Sequence, residues 1–188
     1  MHHLKYSDLW WLLAYPLYQV IGTARHEAAH ALIAWTQGVQ IERFVVFPQL
    51  RPSGGVLWGY VRLADGQTNW LTNAAPYFLD LLTFVVFFLI LWLVRVNPRW
   101  LWLNLLVIGL VSPLFNSLYN YLGLTRASND VNKLLFALPD GCVHAYFFLT
   151  VPLYVWGLWI LALKSQYSSS SLSHKPKLPN PNLKDQRD

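Results

Sequence analysis

The residues that most constrain this chain are polar ones set inside hydrophobic sequence. The densest group is Arg25, His26, Glu27 and His30. An ionisable side chain at bilayer depth is expensive and points to a function. His26-Glu27-Ala28-Ala29-His30 has the H-E-x-x-H form, on an Ala-rich stretch (24–34) that favours helix. Positions i and i+4 share a helix face, so both imidazoles can reach one Zn²⁺. The glutamate between them can serve as general base on water activated by the metal.

The surroundings read as membrane. Only 12 % of the 188 residues are charged and 55 % are hydrophobic, with a mean hydropathy of +0.32. Soluble domains carry about 25 % charged residues. The net charge of +5 lies in loops and a C-terminal tail. No basic face interleaved with stacking aromatics is present, so a nucleic-acid partner is not expected. The single cysteine, Cys142, excludes an intramolecular disulfide and a cysteine-built zinc site. It is expected to be a small buried hydrophobe.

The pattern predicts an all-α membrane protein of about four transmembrane helices, with a small β-hairpin between the first and second spans. The spans are expected at 9–35, 70–94, 100–122 and 142–163. The first, about 27 residues or roughly 40 Å, crosses a bilayer with some tilt, with a kink at Pro16 and a stop at Gly38. The hairpin occupies 39–66, with strands over 39–47 and 56–63 and turn signals at Pro48–Gly55 and Asp65-Gly66. A short amphipathic piece covers 130–138. Residues 1–164 form the membrane core, and the Ser-, Pro-, Asn- and Lys-rich stretch 165–188 is expected to be disordered.

A catalytic zinc needs three protein ligands and an open position. The motif supplies two, and the third must come from a short list. Asp80 shares a helix face with Asn73 and could be a ligand, a partner of a ligand histidine, or a structural group. Asn116 and Asn120, at i,i+4, suit interhelical hydrogen bonding or the positioning of a substrate backbone near the metal. Asp130 opens a helical pattern and reads as a cap or first-turn acid. Asp140 lies in a Pro-Asp-Gly turn, and His144 follows it.

His26-Glu27-Ala28-Ala29-His30-Ala31-Leu32 resembles the signature of the site-2 protease family of intramembrane zinc metalloproteases, in its small, minimal-core form. The Gly38 stop, the hairpin with Gly54-Gly55 and the Ala74-Ala75-Pro76 opening of the next helix follow that family's order over about residues 9–160. The resemblance implies a third ligand near the start of a later core helix, often in Asp-Gly. Asp140-Gly141 carries those letters, but Ser128-Asn129-Asp130 is similar to the short members, which lack the Asp-Gly-Gly form. It therefore favours Asp130, with Asp140 as the alternative. The implied activity is zinc-dependent hydrolysis of a peptide bond in a membrane protein substrate, Glu27 acting as general base. The expected partners are that substrate and the lipid bilayer, with no small-molecule cofactor beyond the metal. The 39–66 hairpin could add a substrate strand to its edge. The alternative is a proteolytically inactive scaffold or regulator of the same fold. A metal-transport role fits less well, because the polar residues gather around one site.

Overall fold

The structure, a computed structural model, describes residues 6, 8, 10, 13–50, 56–64, 68–123 and 129–173, with backbone alone for 56–57 and 165–173. Helix α1 runs Tyr15–Thr36. Pro16 lies in its first turn and does not kink it, because a proline there gives up an N–H with no intrahelical acceptor. The helix thus begins later than expected. It ends where Gly38 takes φ +79°, a left-handed conformation that favours glycine. The Gly38 N–H bonds Trp35 O at 2.9 Å and the Val39 N–H bonds Ala34 O at 3.0 Å, which closes the helix.

The expected hairpin is present as four short strands. β1 (Ile41–Val45) pairs antiparallel with β4 (Tyr60–Leu63), and β2 (Gln49–Leu50) with β3 (Val56–Leu57). The nested pairing makes one hairpin interrupted at 46–48 and 58–59. β2 falls inside the stretch 48–55 expected as a turn, and the remainder of that stretch, 51–55, lies outside the described residues, as does the turn expected at 65–66.

Helix α2 (Trp70–Leu93) starts on Asn69, whose side chain accepts the Leu71 N–H at 2.9 Å. Next comes one helical rod in three parts: α3 (Arg99–Leu106), a π turn (Val107–Val111) and α4 (Ser112–Leu122). The π turn interrupts the span expected to run unbroken over 100–122. The short α5 (Asp130–Ala137) leads to α6 (Asp140–Ser173). α6 outruns its expected end at 163 and enters the stretch expected to be disordered. No Gly or Pro interrupts residues 158–175, and the Lys164 ammonium holds the helix by donating to Trp92 O at 2.7 Å and lying 3.6 Å over the Trp92 ring. The rest of the predicted tail, 174–188, lies outside the described residues. Cys142 is exposed, not buried as expected, because the first turn of α6 stands at the rim of the helix cluster.

Three helices are long and apolar enough to cross a membrane: Trp70–Leu93, Arg99–Leu122 and Asp140–Lys164. α1 is not among them, since its polar motif lowers its hydropathy. Large apolar side chains cover the outer faces, including Leu17, Leu32 and Trp35 on α1 and Leu149, Trp156 and Trp159 on α6. Water-facing surfaces do not usually carry this much contiguous apolar area. The protein is a membrane protein.

Two apolar clusters fill the interior. One joins Phe84 and Leu91 of α2 to Trp102, Leu106 and Leu110 of the rod and Tyr154 of α6. The other joins Ala74 and Tyr77 to Val131 and Leu134 of α5 and Val143 and Phe147 of α6. On α2, Tyr77 and Phe84 belong to different clusters, and buried Asp80 stands between them. A polar layer therefore divides the core at the depth of the motif.

Candidate metal centre

His26 and His30 lie on one face of α1, with ring centroids 4.9 Å apart and planes at 78°. Their Nε2 atoms are 3.3 Å apart. Asp130, the first residue of α5, brings Oδ2 to 3.3 Å from His26 Nε2 and 3.1 Å from His30 Nε2. Tetrahedral zinc with bonds of about 2.0–2.1 Å sets its ligand atoms roughly 3.3 Å apart. The separations of the three donors thus match the edges of such a tetrahedron, with the donors at three of its corners. Among the described residues, this is the group of three or more His, Cys, Asp or Glu whose ligand atoms converge within 4.8 Å. Both histidines are buried and Asp130 is nearly so.

The hydrogen bonds around the cluster leave a proton or a metal ion to be placed among its converging atoms. His30 Nδ1 is 2.7 Å from Thr72 O, an acceptor, so that nitrogen carries the ring proton and Nε2 offers its lone pair. Nε2 then faces Asp130 Oδ2, another acceptor. Two acceptors 3.1 Å apart require a proton or a metal ion between them. The Thr72 carbonyl is free for this role because Pro76, four residues on, has no N–H to bond it. A buried imidazole held by a backbone carbonyl is the usual support of a metal-ligating histidine. The donor set of two imidazoles and one carboxylate therefore suits zinc.

A chain of asparagines places Asp130. Asn120 Nδ2 donates to Asn116 O and Oδ1, both at 3.0 Å, and Asn129 Nδ2 donates to Asn120 O at 2.6 Å. Asn129 then caps α5, accepting the Val131 N–H at 2.9 Å. Lys133 approaches the other carboxylate oxygen of Asp130 at 2.9 Å. The end of α4 thus fixes the start of α5, and with it the Asp130 carboxylate.

Glu27 lies beside the cluster, half-buried, and accepts the Val61 N–H of β4. Gly59 allows this approach: a Cβ there would stand 2.4 Å from Thr23 Cγ2 and 2.7 Å from Val45 O. The Tyr77 ring packs edge-on against His26, centroids 5.9 Å apart, and its hydroxyl is buried without a partner.

The remaining expected residues divide. Asp80 pairs with Arg25 at 2.6 Å and accepts Asn116 Nδ2 at 2.5 Å, so it meets the cluster through Asn116 and is not among its converging atoms. Asn116 Nδ2 is 3.1 Å from His26 Nδ1. Asn73 is half-buried on α2 and takes no part in this network. Asp140 is exposed at the start of α6, outside the cluster. His144 bonds the Tyr121 hydroxyl at 2.9 Å. Sequence reasoning missed Thr72, whose contribution is a backbone atom, and Gly59. Pro76 was the one available signal for Thr72, because a proline within a helix frees the carbonyl four residues earlier.

Residues 8–126 match the Peptidase M50B-like family, a site-2 protease family domain. The match covers more than half of the chain and includes the whole H-E-x-x-H motif, so the chain belongs to this family. The family supports a membrane protease of the metallopeptidase class. No curated protein and no solved structure matches.

Proposed function

We propose that this protein is a zinc-dependent intramembrane endopeptidase that hydrolyses a peptide bond of a membrane protein substrate. The observation that carries the reading is the convergence of His26 Nε2, His30 Nε2 and Asp130 Oδ2 at 3.1–3.3 Å, beside Glu27 and amid apolar helices. His26, His30 and Asp130 hold the metal. Zinc, when bound, supplies Lewis acidity, polarising a carbonyl and bringing the pKa of water towards about 7. Glu27 takes a proton from water and delivers it to the leaving amine. Thr72 O fixes the ring of His30. Asn120 and Asn129 hold Asp130 in place. Asp80 acts on the site through Asn116, which bridges it to His26, while Asn73 stands apart from that link.

Helix α1 forms a fourth crossing in this reading. Its 22 residues reach roughly 33 Å, and its outer face carries Leu17, Ile21, Leu32 and Trp35. The polar motif faces inward and is sheltered by α2, α4 and α5. The β1–β4 pair, laid across Glu27, provides an edge on which an extended substrate can be held by main-chain hydrogen bonds.

The test compares Glu27→Gln with the unaltered protein, purified in detergent and mixed with a model transmembrane substrate. The variant should retain zinc and lose cleavage by about 10²-fold or more. Cleavage at the unaltered rate would sink the proposal, and retained binding without cleavage in both proteins would favour an inactive scaffold.

A further inference from the structure

The two motif histidines are supported in opposite senses. His30 Nδ1 faces a carbonyl, which leaves Nε2 ready for a metal. His26 Nδ1 instead faces the NH₂ group of Asn116 at 3.1 Å. An amide NH₂ only donates. In this arrangement His26 Nδ1 is therefore an acceptor, and its ring proton sits on Nε2, the atom turned towards Asp130. The orientation of the Asn116 amide is fixed from both ends. Its nitrogen donates to the Asp80 carboxylate, which only accepts, and its oxygen receives Asn120 Nδ2.

Asp80 is itself fixed. It is 1 % exposed and pairs with Arg25, which reaches it from the residue just before the motif. Arg25 also donates to Ile108 O at 3.1 Å and to Ser112 Oγ at 3.3 Å. The Ile108 carbonyl is open to it because of the π turn. There the Ser112 N–H bonds Val107 O, five residues back, and the next residue in that register, Pro113, has no N–H for Ile108. The Arg25 Nε is left buried without a partner. An ion pair kept for stability alone is poorly served by such an orphaned donor, and a buried pair is in any case weak evidence of stabilisation.

We infer that Arg25 and Asp80 are positioning residues that act through the Asn116 amide to set which ring nitrogen of His26 carries the proton, and so restrain metal uptake at the site. The inference rests on the metal-binding reading of His26, His30 and Asp130. For His26 Nε2 to bind a metal, the ring proton must move to Nδ1, where it needs an acceptor. Asn116 can offer its oxygen only by turning its amide over. That turn sets an oxygen against the Asp80 carboxylate, so the ion pair opposes it. Replacing the carboxylate by a group that can donate, or by an apolar one, removes the opposition.

The experiment measures Zn²⁺ affinity of the full chain in detergent by competition with a chromophoric chelator, together with the visible spectrum of bound Co²⁺. Asp80→Asn and the double variant Arg25→Met/Asp80→Leu are compared with the unaltered protein. Asp80→Asn leaves Arg25 buried without its counter-charge. The double variant replaces the pair with apolar groups, a change that buried pairs often tolerate. Both should bind Zn²⁺ about tenfold more tightly, opposite in sign to the roughly 10–100-fold loss that follows removal of a group supporting a metal ligand, and shift the Co²⁺ bands. Circular dichroism and elution volume identify the variants that are folded. A folded double variant with unchanged or weaker affinity overturns the inference, because a pair that only fastens helices would give that result. An unaltered protein that binds neither metal overturns the metal reading itself, which is a distinct outcome.

Discussion

At the residue scale, the site depends on one oxygen atom. Asp130 Oδ2 lies within 3.3 Å of both imidazoles, whereas Asp140 stands exposed at the start of the next helix. Asp130→Ala should therefore lower zinc affinity by more than the roughly 10–100-fold typical of losing a group that only supports a ligand. Asp140→Ala should leave it unchanged. Metal content after dialysis against a weak chelator separates the two, and equal losses would remove Asp130 from the ligand set. Asp130 was legible in the sequence as a carboxylate opening an amphipathic helix, but so was Asp140 as a carboxylate before glycine. What distinguishes them is the link from Asn120 through Asn129, which spans two helices and has no local pattern to reveal it.

At the element scale, two prolines inside helices do comparable work. Pro76 frees Thr72 O for His30, and Pro113 leaves Ile108 O for Arg25. Pro76→Ala returns an N–H to α2 at the point where Thr72 O can accept it. The helix should gain stability, while the competition for Thr72 O should weaken zinc binding by up to about tenfold. Chelator competition and a thermal melt read the two effects on one sample. An unchanged affinity would mean that the carbonyl serves both donors. The π turn brings a second constraint, because a Cβ on Gly109 would stand 2.2 Å from the Phe87 ring. Gly109→Val should cost roughly 1–3 kcal/mol and lower the melting midpoint in detergent. A melt matching that of the unaltered protein would show that α2 and the rod can move apart freely. The helices themselves were readable from apolar length, and the metal motif from its polarity within them. The π turn was not, since a one-residue change of hydrogen-bond register alters no hydrophobic pattern.

At the scale of the whole molecule, the helix ends fall into two sets. Gln37, past the end of α1, donates to Asn69 at the start of α2 at 2.9 Å. Asp8, ahead of α1, pairs with Arg99 at the start of α3, and the Tyr18 hydroxyl donates to Asn104 at 2.8 Å. α1 therefore runs alongside α2 from end to end, although only α2 is apolar enough to be recognised as a span. Laid alongside α2 in this way, α1 is expected to traverse the same thickness where α2 crosses the bilayer, with its polar motif sheltered from lipid. The Lys164 contact with Trp92 places the far end of that span of α6 with the Asp8 set, so Cys142 at its start belongs with Gln37. Single cysteines test this arrangement in vesicles with a membrane-impermeant maleimide. Cys142 itself is one reporter, and Tyr6→Cys, Gln37→Cys and Arg95→Cys in a Cys142→Ser background are the others. Gln37→Cys and Cys142 should label from one side of the membrane, and Tyr6→Cys and Arg95→Cys from the other. If Tyr6→Cys labels from the same side as Gln37→Cys, α1 does not cross. The metal centre would then lie at the membrane surface, and its substrate would be cut outside the lipid and not within it.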